Sequence, residues 1–315
     1  MKFYRSVSVA ACLVTLVPGF AMAAPYLPTY GSPNSVQFQS ARTALDLHDS
    51  DFDFEPSGDA SEEGTLIEGD SDTVGAAFTY WGVTGQQGQR LDLRYQRARR
   101  LGEGSRARLL IDAPINILRA DREGPLPGSE GGTALLGTLS VGVELPVKPN
   151  WLITPRVSYG FAAAGRYFGG SGEIATGSVT SRFKLPKVGR GDLTIGNSVI
   201  HTRTIKLFSE NAARVRSENL LWRNGVAYQL PLKGRMFGRQ ASLRASYVFT
   251  FTTGGKSLYE QIHEAGLSIG VRTREAEQKN RFEQLRVGLL YTRSKHEFAK
   301  QFGYDSLTLT LGYRF

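Results

Sequence analysis

The chain has 315 residues, 41% of them hydrophobic and 21% charged, with a formal net charge of +9. No run of about 18 consecutive apolar residues occurs, which excludes a membrane-spanning helix, and the apolar content exceeds that of a disordered chain. The single cysteine, Cys12, and four scattered histidines exclude a disulfide scaffold, a cysteine zinc site and a histidine-rich metal centre.

Residues 1–23 read as a leader. Lys2 and Arg5 precede a short apolar core from Val7 to Val17. Pro18 and Gly19 break that core, and Ala21-Met22-Ala23 supplies small residues for cleavage after Ala23. A buried N-terminal helix is the structural alternative. Val9-Ala10-Ala11-Cys12 loosely resembles a lipoprotein cleavage site, but the apolar run before Cys12 is too short and continues past it. An exported chain does not meet nucleic acid, so the positive charge calls for another explanation.

Residues 24–72 differ from the rest. The stretch 25–35 is rich in Pro, Ser, Gly and Asn. Ser35 is placed to cap a short helix over 36–47, with Val36, Ala44 and Leu47 partly on one face. Residues 46–72 then carry eleven acids and no lysine or arginine. Such a run reads either as a solvated linker or as a segment that meets basic groups elsewhere in the chain. His48-Asp49-Ser50 lies inside it, but adjacent residues cannot orient one another as a catalytic triad.

From Thr73 onward the balance inverts, with 35 lysines and arginines against 18 acids. Apolar and polar positions alternate in twelve segments, near 72–83, 89–99, 106–118, 133–145, 151–164, 172–184, 192–203, 218–229, 241–253, 260–273, 282–293 and 303–315. The ninth is among the clearest: Ala241, Leu243, Ala245, Tyr247, Phe249 and Phe251 share one face, and Ser242, Arg244, Ser246, Thr250 and Thr252 the other, with Val248 the exception. The twelfth sets Leu307, Leu309, Leu311, Tyr313 and Phe315 against Ser306, Thr308, Thr310, Gly312 and Arg314. The first and seventh alternate least clearly.

Length decides what these strands are for. Soluble strands usually run about 5–6 residues, whereas a tilted strand crossing a bilayer needs roughly 9–11. Twelve long strands predict an all-β fold: a transmembrane antiparallel β-barrel over 73–315, closed so that every backbone group is paired. A soluble sandwich or lipocalin-like barrel would put the apolar faces inside. With both ends periplasmic, the odd-to-even connections are extracellular, and they include the longest expected ones, about 119–132 and 204–217. Trp81, Trp151, Tyr159, Phe161, Tyr247, Tyr291, Tyr313 and Phe315 gather near strand ends, as aromatic girdles do.

Alternation sends Arg90, Arg94, Arg106, Arg108, Arg156, Arg182, Lys184, Arg223, Arg244, Arg272, Arg286 and Arg314 into the lumen, with Asp92, Asp112, Glu144, Asp192 and Glu264. Such a wall either favours anionic solutes through a pore or braces the barrel with ion pairs. The acidic run could enter and neutralise it, making a plugged barrel. No enzyme is expected and no cofactor. His201, His263 and His296 fall on separate elements, and Gly169-Gly170-Ser171-Gly172 joins two strands instead of opening a helix.

The chain ends Leu311-Gly312-Tyr313-Arg314-Phe315. This resembles the C-terminal signal that bacterial outer-membrane proteins present to their assembly machinery, with Leu311, Tyr313 and Phe315 on its apolar face. By strand count, domain length and C-terminal position, 73–315 further resembles the translocator β-domain of autotransporters, which implies a twelve-stranded barrel with a helix in its lumen. It would be a solitary barrel of that type, with no passenger before it, in the outer membrane of a Gram-negative envelope. Residues 36–47 would supply the lumenal helix. Its expected partners are outer-membrane lipid and the assembly machinery.

Overall fold

The structure is a computed structural model, and it describes residues 70–83, 86–122, 132–164, 172–205, 218–254, 261–271, 285–295 and 304–314. The leader, the helix expected over 36–47 and most of the acidic run lie outside the described residues. Twelve strands follow in order: β1 Ser71–Val83, β2 Gln86–Arg100, β3 Arg108–Arg122, β4 Gly132–Lys148, β5 Trp151–Ala164, β6 Gly172–Val188, β7 Gly191–Ile205, β8 Glu218–Met236, β9 Arg239–Gly254, β10 Gln261–Val271, β11 Leu285–Lys295 and β12 Tyr304–Arg314. Each pairs antiparallel with its chain neighbours, and β1 pairs with β12 to close a barrel. Closure leaves no open sheet edge, the condition for β-structure in hydrocarbon.

The period-two pattern sorts side chains to two faces. On β9, Arg244, Thr250 and Thr252 are buried inside, while Tyr247 and Phe251 are exposed outside. Val248 also points inward and is buried, so the break in alternation is real and not a register slip. Leu309 on β12 is exposed outside beside buried Thr308 and Thr310. The outer face is apolar through Ile111, Ile115, Leu139, Val157, Val179, Leu267 and Leu289, as a lipid-facing belt must be.

Four connections at the end where β1 begins and β12 finishes are compact: 101–107, 149–150, 189–190 and 237–238. That end is the periplasmic one. Two connections run against the expected asymmetry. The extracellular β1–β2 link is only 84–85, and the periplasmic β10–β11 link, 272–284, exceeds the extracellular 123–131 and 206–217.

Three periplasmic hairpins continue further than alternation alone predicts. β4, β6 and β8 run on through Leu145-Pro146, Leu185-Pro186 and Leu230-Pro231, and the ladder shifts register just beyond each Leu-Pro pair, between Pro146 and Lys148, Leu185 and Val188, and Pro231 and Arg235. Proline lacks a ladder donor and is tolerated in a strand at such bulges. Gly189 and Gly238 turn two of these hairpins at φ of 66° and 74°, the left-handed region that favours glycine.

Aromatic residues mark both rims of the belt. On the periplasmic side, Trp151 Nε1 donates to Ser181 Oγ at 2.9 Å and the Tyr228 hydroxyl to the Val188 carbonyl at 2.9 Å. On the extracellular side the Tyr291 hydroxyl donates to Asp305 at 2.6 Å, and the Tyr247 hydroxyl lies 2.7 Å from His263 Nδ1. Trp81 departs from the girdle expectation. β1 turns its odd positions inward, so Trp81 is buried in the lumen, packed over Gly88, where a Cβ would come within 2.4 Å of its ring.

Candidate functional site

Among the described residues, buried charged side chains converge on the lumenal wall. Arg90, Arg108, Arg156, Arg182, Lys184, Arg223, Arg244 and Arg286 all point inward and are buried. Arg94 joins them, donating through Nε and Nη2 to both oxygens of Asp112, each at 2.7 Å. Such a two-bond fork is the strong geometry for a guanidinium on a carboxylate. Arg156 Nη1 approaches the same Asp112 at 3.9 Å.

Glu144 on β4 serves two bases, one from the adjacent β3 and one from β6 across β5. Arg108 Nε donates to its Oε2 at 2.6 Å, with Nη2 on the same oxygen. Arg182 Nη2 donates to Oε1 at 3.0 Å. Register makes this meeting: Arg108 opens β3 directly opposite Glu144 on β4. Lys184 and Asp192 pair at 3.1 Å near the periplasmic turn of β6 and β7. Asp112 and Glu144 each meet two bases, and among the described residues the wall keeps an excess of positive charge.

Arg223 and Glu264 form a pair of another kind. Their closest atoms are 3.0 Å apart and both side chains are fully buried. They sit on β8 and β10, so the contact spans β9. There Arg223 faces Thr250 and Glu264 faces Val248. Short side chains on the intervening strand let the two long ones meet over it, which accounts for the valine on an otherwise polar face.

Towards the extracellular ends of the strands the inner face changes character. Hydroxyls join the ions there: Thr79 and Thr308 bond at 2.9 Å, Thr79 also accepts from Arg90 Nη2 at 3.4 Å, Thr176 donates to Thr202 at 3.3 Å, and Thr180 and Ser198 bond at 2.9 Å. Thr250, opposite Arg223, and Thr252, Thr292, Ser294 and Ser306 add further buried hydroxyls. At the other end a cavity of about 260 Å³ opens between the β6–β7 and β8–β9 hairpins, lined by Lys187, Arg190, Asp192, Gln229, Gln240 and Ser242.

Not every residue expected in the lumen is there. Arg106 is exposed in the β2–β3 turn, ahead of the first β3 residue, so alternation had no strand to act on. Arg272 lies outside the described residues. Arg314 pairs through its backbone with Thr73 on β1, and its side chain lies outside them. Leu311 is on the outer face of β12, Tyr313 pairs through its backbone with Val74, and Phe315 lies outside the described residues. His201 and His263 are on the outer face with Glu218 and Tyr247 as their respective partners, 2.9 Å and 2.7 Å away, and His296 is outside the described residues. The sequence reading passed over Asp72. Its carboxylate accepts from Arg99 at 2.7 Å and from the Tyr95 hydroxyl at 2.9 Å on the outer periplasmic rim.

The barrel is similar in structure to the translocator domain of the autotransporter NalP from Neisseria meningitidis, with a TM-score of 0.53 and 14% identity over 88% of this chain and 94% of that one. It is also similar to the β-domain of the Bordetella autotransporter BrkA, with a TM-score of 0.52 and 12% identity over 78% of this chain and 99% of that one. At these identities the likeness is one of fold: the chain has the twelve-stranded, closed outer-membrane barrel architecture of autotransporter translocator domains. No protein-family model matches the sequence, and no curated protein matches it significantly.

Proposed function

We propose that this outer-membrane barrel is a non-enzymatic, narrow pore with a cationic lumen that its own acidic N-terminal segment occludes. The observation that carries the reading is the lumenal charge. Among the described residues nine inward bases, from Arg90 to Arg286, face five inward acids, Asp92, Asp112, Glu144, Asp192 and Glu264. Guanidinium groups hold their charge at any working pH and suit carboxylates. Residues 46–72 supply eleven carboxylates on the same chain. They enter β1 at the periplasmic rim, so tethering keeps them at a high effective concentration beside the mouth. Asp70 and Asp72 already bind that rim, Asp70 accepting from the Arg100 backbone N–H at 2.9 Å. Export through a leader ending at Ala23 belongs to the same reading.

The second reading is an open channel for small acidic solutes. It is favoured by the excess of inward bases and by the hydroxyls of Thr79, Thr292, Ser294, Ser306 and Thr308 toward the extracellular end, which offer anions hydrogen bonds beside that charge. Single-channel conductance separates the two. Purified protein carrying residues 24–315 should conduct weakly, and a variant lacking 24–69 should conduct several-fold more with preference for anions. Equal conductance from both would leave 24–69 a linker and favour the open channel. No conductance from either would end both readings.

A further inference from the structure

On the periplasmic side the ladder between β7 and β8 ends with Asp192 opposite Gln229, while β8 continues to Met236. The step left beside the β6–β7 hairpin holds the cavity of about 260 Å³ at the mouth of the lumen. Sites for drug-sized ligands run to about 300–1,000 Å³. This one suits a small solute or a single side chain.

Ser242 lies on the cavity wall and is only 4% exposed. Its oxygen accepts from Gln229 Nε2 at 3.3 Å and from Arg286 Nη2 at 3.1 Å. A hydroxyl has two acceptor sites and one proton. Both acceptor sites are taken, and among the described residues nothing receives the proton. It is left for an acceptor inside the cavity. The guanidinium on the same oxygen polarises the hydroxyl and makes that proton a stronger donor.

Lys187 and Arg190 stand exposed at the opening, and among the described residues no carboxylate pairs with either side chain. Asp192 also lines the cavity, but its charge is already met. Lys184 Nζ lies 3.1 Å from one oxygen, and the Lys187 backbone N–H donates to the other at 3.0 Å. That acid still repels a doubly charged phosphate more than a singly charged ligand. Two cations and a buried hydroxyl proton around a small space match a carboxylate, which brings one charge and two acceptor oxygens.

We infer that this cavity is a binding site for a carboxylate group, which Ser242 meets with its proton and Lys187 and Arg190 with their charge. The group comes from a small acidic solute or from the chain's own acids in 46–69, and the site is independent of whether the lumen conducts. The only cysteine is Cys12, so Pro231→Cys in a protein carrying residues 24–315 puts a lone thiol on the lining. Its alkylation by neutral iodoacetamide is timed in detergent, with heat-modifiability as the check on folding. Where the acids of 46–69 are replaced by Asn and Gln, lactate should slow alkylation at least threefold. Lactamide at the same concentration and ionic strength should not, and inorganic phosphate should protect less than lactate. If those replacements alone speed alkylation threefold, the chain's own acids hold the site; if the rate is unchanged, the ligand is a free solute. Lys187→Gln with Arg190→Gln should abolish the protection by lactate, and Ser242→Ala should weaken it. No slowing by lactate, equal slowing by lactamide or phosphate, or undiminished protection in either of these variants would each overturn the inference.

Discussion

Replacing Glu264 with leucine should make the barrel markedly easier to unfold, and the structure sets the scale. Glu264 and Arg223 are 3.0 Å apart with no solvent exposure. At an effective dielectric of about 20, opposite charges at that separation attract by about 5–6 kcal/mol. Breaking a buried pair from one side typically costs about 3–5 kcal/mol, because a charge stays behind. Removing both charges is far less harmful, often near neutral. Glu264→Leu should therefore lose about 3–5 kcal/mol, and Arg223→Met with Glu264→Leu should recover most of it. Urea unfolding in lipid vesicles, followed through Trp81, Trp151 and Trp222, gives both values. A single variant within about 1 kcal/mol of the parent, or a double variant as unstable as the single, would refute the reading of this pair as a clasp across β9.

Gly88→Val should also destabilise, by about 1–3 kcal/mol, since its Cβ would come within 2.4 Å of the Trp81 ring and 2.3 Å of the Arg119 carbonyl oxygen. An unchanged urea midpoint would refute the lumenal packing of Trp81. Deleting Phe315 should lower the folded, heat-modifiable fraction in cell envelopes. Normal yield would remove the case for the C-terminal assembly signal.

The strands were legible because each must serve two solvents. A lipid-facing residue next to a lumenal one writes a period of two that survives without any alignment, as Leu309 beside Thr308 and Arg244 beside Leu243 illustrate. β1 was faint for a physical reason: Ala77 and Trp81 point into the lumen, so both of its faces look apolar. The Leu-Pro extensions of β4, β6 and β8 were cut short because proline and charge resemble a turn until a bulge is seen to hold them. The candidate site was legible only as a list. Alternation tells which bases face inward, but Glu144 meeting Arg108 and Arg182, or Arg223 reaching over β9 to Glu264, depends on register between strands that are far apart in sequence. Arg106 failed for the complementary reason, being a turn residue that mimics a strand position.

The hydroxyl pair of Thr79 and Thr308 joins residues 229 positions apart. Every other strand pairing joins chain neighbours, whose hairpins can zip as soon as both arms exist. The seam alone must bring the two ends of the domain together, an entropic cost of about 5 kcal/mol on a simple loop-closure scale. Assembly is therefore a run of local steps ending in one distant one, and the chain cannot complete its cylinder until β12 is available. A barrel arrested before that moment keeps two raw edges, β1 and whichever strand was last added, each able to recruit a foreign strand. Cutting away β1 or β12 should consequently do more than weaken the protein: it should turn a closed, self-limited object into an adhesive one.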